Sequence, residues 1–185
     1  MKRSDLEHII RAAGDALGED HVIVVGSQSI LASFPDSKLP VEAARSLEAD
    51  ILPLDDPDGS KADVIDGVLG EFSPFDEEFG IHADGVSETT SILPGGWRER
   101  LIPFRNSNTN GVTGLCLERH DLCIAKLAAG REKDLDFVGA LLRAGIIDPK
   151  VLIQRMGLSA IPEEQRESIE HFVRRFTPKV PHKGS

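Results

Sequence analysis

His21-Val-Ile-Val-Val-Gly-Ser-Gln-Ser-Ile-Leu31 and, further on, Arg45-Ser-Leu-Glu-Ala-Asp-Ile-Leu-Pro53 are the runs from which the fold is read. Val22 to Val25 is a continuous β-branched apolar stretch closed by Gly26, the pattern of a buried strand. Gly26-Ser27 is then the turn at its end, and Ser27 to Ala32 has the residues to start a helix. The chain returns as a second strand, Glu48 to Leu52. Side chains two apart on a strand share a face, so Glu48 and Asp50 present both carboxylates together, ~6–7 Å apart along the chain. Two same-face acids beside a small-residue turn suit a divalent cation and a phosphate.

Outward from this pair, Ser4-Asp-Leu-Glu7 reads as a capping box, with Ser4 at the N-cap and Glu7 three residues on. Leu6, Ile9, Ile10, Ala13 and Leu17 follow at helical spacing, and Gly18 stops the helix. A second helix is expected over Lys61 to Leu69, with Val64, Ile65, Val68 and Leu69 as its apolar face. Asp58, Asp63 and Asp66 read as its solvated side. Phe79 to Ala83 is a candidate third strand, followed by Asp84-Gly85. Asp84 is either a third carboxylate beside Glu48 and Asp50 or part of a simple Asp-Gly turn. Ser91-Ile-Leu-Pro-Gly-Gly-Trp97 is a turn with the single Trp packed beside it. Leu101 to Phe104 and Val112 to Leu117 are two further strands, joined by the polar loop 106–111.

From Glu118 onward the periodicity becomes helical. Leu122, Ala125, Lys126 and Ala129, then Leu135, Val138, Leu141 and Leu142, mark two helices broken near Gly130. Pro149 to Met156 and Pro162 to Phe176 supply two more, each with Pro in the first turn. Strands early and helices late give an α+β class: a mixed-sheet core with flanking helices over 1–117 and a helical C-terminal part over 118–176 packed on it. Residues 177–185, with two prolines, form a mobile tail.

The 185 residues suffice for a sizeable core. No run of ~18 apolar residues is present, and Met1-Lys-Arg-Ser-Asp-Leu-Glu7 lacks the apolar segment of a signal peptide, so a cytoplasmic protein without membrane partners is expected. Cys116 and Cys123 lack metal-ligand spacing and read as buried thiols. The net charge of −10 excludes the broad electrostatic footprint of a nonspecific nucleic-acid binder. Local cations remain: Arg98, Arg100 and Arg105; Arg131 and Lys133; and Arg174, Arg175, Lys179, His182 and Lys183.

Arg119-His-Asp-Leu-Cys-Ile-Ala-Lys126-Leu-Ala-Ala-Gly-Arg131-Glu-Lys-Asp134-Leu-Asp136 is the second dense candidate. Lys126 stands among Leu122, Ile124, Ala125, Leu127 and Ala128. It either snorkels to solvent or holds phosphate charge as a compact cation. His120-Asp121 lacks a nucleophile elbow for a hydrolase triad, and Gly26-Ser27-Gln28-Ser29 is not a Walker A loop.

Together, Gly26-Ser27, then Ser46-Leu-Glu48-Ala-Asp50, then Asp121-Leu122 with Lys126, then Arg131-Glu-Lys-Asp134-Leu-Asp136 resemble the DNA polymerase β-like nucleotidyltransferase superfamily. Within it they look most like the AbiEii and MenT toxin branch and its uncharacterised bacterial relatives. The resemblance spans roughly Val22 to Leu142. It implies metal-dependent transfer of NMP from an NTP to RNA, such as a tRNA 3′ end, or to protein, by the toxin of a toxin–antitoxin pair with a cognate antitoxin. Glu48 and Asp50 would hold Mg²⁺ or Mn²⁺, with Asp84 as a third ligand. Gly26, Ser27 and Ser46 would bind nucleotide, Lys126 with Arg131 or Lys133 would neutralise phosphates, and Asp134 would orient the lysine or the acceptor. The family pattern places Asp where this chain has Glu48. The alternative that follows is an inactive nucleotidyltransferase fold that binds nucleotide or a partner without turnover.

Overall fold

The computed structural model describes residues 1–176; residues 177–185, for which the sequence suggests a mobile tail, lie outside the described residues. The class is α+β. A five-stranded mixed sheet runs in the order β3-β2-β1-β5-β4, built from β1 (His21–Val24), β2 (Glu48–Leu52), β3 (His82–Gly85), β4 (Ile102–Phe104) and β5 (Thr113–Cys116). β1 pairs antiparallel with β2 and parallel with β5; β2 and β3 are parallel, and β4 and β5 antiparallel. The helices are α1 (Arg3–Leu17), α2 (Val41–Ala44), α3 (Ser60–Leu69), α4 (Pro74–Phe79), α5 (Arg119–Ala129), α6 (Glu132–Arg143), α7 (Pro149–Met156) and α8 (Glu163–Arg174). Among the described residues no helix is long and apolar enough to cross a membrane.

Two apolar clusters divide the sheet's surroundings. On one face Val22, Val24, Ala49, Ile51 and Ala83 meet Leu6, Ile9, Ile10 and Ala13 of α1 and Ile65 and Leu69 of α3. The second cluster joins α5 to α8 through Leu122, Leu127, Val138, Leu141, Leu152 and Ile169, and takes in Leu117 at the end of β5. Alternation then decides the rest: with Ala49 and Ile51 buried against α1 and α3, Glu48 and Asp50 must project from the opposite face.

Several local expectations are corrected. The first helix starts at Arg3, one residue before Ser4, and the Lys2 N–H donates to Asp5 Oδ2 at 2.7 Å. Asp5, not Glu7, is therefore the N3 residue, and Glu7 lies two positions further into the helix. Its nearly buried carboxylate accepts from the Asn106 and Asn108 side-chain amides at 2.8 and 2.7 Å, tying α1 to the loop before β5. Phe79 ends α4 instead of opening a strand, because Ser73 caps that helix with Pro74 behind it and Gly80 closes it. The strand begins at His82. On α3 only Ile65 and Leu69 turn inward; Val64 and Val68 are 40% and 49% exposed, since the helix buries a single narrow stripe. Pro162 stands just outside α8, while Pro149 opens α7 as expected. Cys116 and Cys123 are free and buried.

Candidate active site

β2 and the turn after β1 set the first half of the site. The Val25 N–H donates to Asp50 O at 3.0 Å, fixing the end of β1 beside the acid strand. Gly26 then lies directly on the Asp50 side chain: a Cβ at position 26 would sit 1.5 Å from Asp50 Oδ2. Its φ of −77° is open to any residue, so space rather than backbone conformation demands glycine here. Ser27 opens a 3₁₀ turn, Ser27–Ala32, where a helix start is expected from sequence. The Ser46 hydroxyl donates to Glu48 O and accepts from Glu48 N–H, both at 3.2 Å, and so sets the entry to β2.

Glu48 and Asp50 face a cleft of about 600 Å³, walled by Gly26, Ser27 and Ser46 on one side and by α5 and α6 on the other. Asp84 is in register with Asp50 on the adjoining parallel strand, yet it does not line the cleft. Burial and then the Glu48 charge push the Asp50 carboxyl up to about 6, against the pull of Lys126. Asp84 is raised for the same two reasons. Among the described residues neither Glu48 nor Asp50 forms a side-chain hydrogen bond or an ion pair.

The far wall is built differently. Gly130, at φ 66°, closes α5 in the left-handed conformation and, with Arg131, turns the chain into α6 within two residues. That turn brings Lys126, Arg131 and Asp134 together. Asp134 is 2% exposed at its side chain and takes Lys126 Nζ at 3.2 Å and Arg131 Nε at 2.6 Å. Burial opposes its charge, but Arg131 and Lys126 outweigh it and hold the carboxyl below the ordinary range. Lys126 also lies over Phe137, 5.8 Å from the ring centre. Its stem is packed and its head faces the cleft.

The two halves combine as an acid pair without a contacting cation and a cation pair organised by one acid. Such a donor set suits a divalent ion with phosphate. Among the described residues no three His, Cys, Asp or Glu side chains converge to hold an ion. On this wall the chain offers two carboxylates, Glu48 and Asp50; a Mg²⁺ held by them would need water and phosphate oxygens for its remaining ligands.

A family model described as "Nucleotidyltransferase of unknown function (DUF6036)" matches residues 4–179. The chain belongs to this nucleotidyltransferase family. No curated protein and no solved structure matches it. The match takes in every residue of both walls.

In this member of the family the structure separates Asp121 from Lys126, which the motif joins. Five residues apart on one helix, they point roughly 140° from each other. Asp121, fully buried, pairs with Arg100 Nε at 2.7 Å and stands 3.8 Å from Arg155, holding α5 to its neighbours. Of the other cations noted in the sequence, Arg98 contacts Glu88 and Arg174 pairs with Glu170, while Lys179, His182 and Lys183 lie outside the described residues. Lys133 and Asp136 do line the cleft. Sequence reasoning missed Arg45, Thr90 and Ser91, which also line it. Arg45 directly precedes Ser46, and the hydroxyl-rich run Ser87-Glu-Thr-Thr-Ser91 was the available sign of the other two.

Proposed function

We propose that this protein transfers a nucleoside monophosphate from an NTP to an acceptor, with Mg²⁺ or Mn²⁺ held by Glu48 and Asp50. One observation carries the reading. Two same-face carboxylates, that of Asp50 pressed against Gly26 and neither with a contacting cation, look across a single cleft at Lys126 and Arg131. A divalent ion bound there would supply charge neutralisation on the phosphates and a lowered pKa for the attacking hydroxyl. The chain's own residues do the rest. Gly26 leaves room for the Asp50 carboxylate, Ser27 offers a hydroxyl, and Lys126 and Arg131 place positive charge where negative charge develops during nucleotidyl transfer. Asp134 positions both cations, and Arg45 and Lys133 extend positive charge along the cleft. Asp84, in register with Asp50 on the neighbouring strand, would add negative charge behind the pair without lining the cleft.

The finer reading is a toxin of the AbiEii/MenT-like branch, acting on RNA at a tRNA 3′ end or on protein and restrained by a cognate antitoxin in the cytoplasm. It rests on the order of the four motifs. Glu48 favours a second reading, a nucleotide- or partner-binding protein without turnover, because its extra methylene shifts the carboxylate relative to Asp. The test is incubation with each labelled NTP, Mg²⁺ and either total bacterial RNA or a panel of proteins. The first reading expects label on one acceptor class with the native chain and at least a hundredfold less with Asp50→Ala. Saturable Mg²⁺-dependent NTP binding without label on any acceptor would favour the second.

A further inference from the structure

Four hydroxyl side chains line the cleft, Ser27, Ser46, Thr90 and Ser91, and they are not equivalent. Ser46 is engaged by the Glu48 backbone, and Ser27 is fixed on the turn beside Gly26. Thr90 and Ser91 come from elsewhere, on the segment that leaves β3 at the sheet edge and crosses to the cleft. Both residues are exposed. That segment is held at two points: the Val86 N–H donates to Ile51 O at 2.8 Å, and Glu88 contacts Arg98. Between Ser87 and Ser91 the only non-hydroxyl residue is Glu88. Ser87 hydrogen-bonds with Thr89 at 2.9 Å and lies 3.4 Å from Thr90, whereas among the described residues the Ser91 hydroxyl has no hydrogen-bond partner. Hydroxyls without a strong internal partner, carried on a tethered segment into a cleft that holds Glu48, Asp50 and Lys126, have the chemistry of acceptors.

We infer that Thr90 or Ser91, of which Ser91 has the hydroxyl with no hydrogen bond among the described residues, is a site of intramolecular nucleotidylylation, an inference that rests on the nucleotidyl-transfer reading above. The hydroxyl oxygen attacks the α-phosphorus of a bound NTP and forms a phosphodiester to the side chain. The bond from that phosphorus to the bridging oxygen breaks, pyrophosphate leaves with the electron pair, and the hydroxyl proton passes to water. No redox partner is needed. The product places a nucleotide on the segment beside the cleft, where it occupies space that a following NTP or acceptor requires. Self-modification at this position is thus a brake on transfer to other acceptors.

The experiment is intact-mass spectrometry of the full chain after incubation with Mg²⁺ and each NTP in turn, followed by fragment mapping. The expected result is one covalent NMP per chain, mapped to Thr90 or Ser91. Its rate constant is independent of protein concentration, as an intramolecular step requires. Asp50→Ala carries none of it, and the double variant Thr90→Val/Ser91→Ala loses at least tenfold. The hydroxyl-retaining exchange Thr90→Ser/Ser91→Thr keeps the label, which separates acceptor chemistry from a packing role. Circular dichroism of each variant checks that it is folded. Label on RNA or another protein with none on the chain, or label mapped to a different residue, overturns the inference and leaves nucleotidyl transfer standing. Absence of any transfer together with absence of NTP binding overturns both.

Discussion

Asp50 and Asp134 face the same cleft from opposite walls, and their surroundings drive them in opposite directions. Asp134 sits between Lys126 and Arg131, and its carboxyl is held below the ordinary range. Asp50 sits beside Glu48 against Gly26, and its carboxyl is raised to about 6. One acid is satisfied within the fold and acts by holding cations in place. The other lacks a contacting cation and binds its proton more tightly, the state expected of a ligand waiting for a positive charge from outside. Structural ion pairs and binding sites can both perturb acids; here the contacts around each carboxylate, two cations on Asp134 and none on Asp50, distinguish them.

The strongest way to break this contrast is to remove the acid that organises the cations. Asp134→Asn leaves Lys126 without its partner and frees Arg131. Transfer should fall about a hundredfold. Stability should fall by roughly 2 kcal/mol in denaturant titration, below the range for fully buried pairs because Arg131 stays in water. An unchanged transfer rate would mean that Lys126 and Arg131 act without Asp134.

Gly26→Ala attacks the other wall. Its Cβ would overlap Asp50 Oδ2, so Asp50 must move; the expected cost is about 1–3 kcal/mol, with weakened divalent-ion binding. Wild-type stability and ion binding in this variant would show that Asp50 need not lie on Gly26.

A third prediction uses pH. A carboxyl raised in the folded state stabilises the fold at pH below its ordinary value of 3.8, and that contribution is lost as pH rises through about 6. Asp50→Asn should therefore be more stable than the native chain at pH 7.5 without divalent ions. The ceiling is about 3 kcal/mol, and the difference should vanish toward pH 4. Melting curves at the two pH values measure it; equal stability at pH 7.5 would contradict the raised carboxyl. The smallest effect is expected far from the cleft. Val68→Ser, on the exposed side of α3, should change stability by less than about 0.5 kcal/mol. A larger loss would mean that this face is covered.

How much of this was legible in the sequence depended on how local the signal was. The bounds of β2 and the shared face of Glu48 and Asp50 follow from period-two alternation, which needs no tertiary information. The break at Gly130 was likewise local, and with it the meeting of Lys126, Arg131 and Asp134. Phe79 reads as a strand start because it is an apolar residue before Gly80, yet Ser73-Pro74 carries the helix-start signal that prevails. Asp121 could not be placed from sequence, since its partners Arg100 and Arg155 are 21 and 34 residues away. Thr90 and Ser91 reach the cleft because β3 lies beside β2, a pairing fixed only once the sheet assembles.

The central claim is that Glu48 and Asp50 bind a divalent ion for nucleotidyl transfer. Its most direct test is Mn²⁺ binding, followed by electron paramagnetic resonance at pH 7.5, in the native chain and in Asp50→Asn, each with and without a non-hydrolysable NTP analogue. Bound Mn²⁺ in the native chain, tightened by the analogue and at least tenfold weaker in the variant, is the predicted result. Equal binding in both proteins, or none in either, would contradict it.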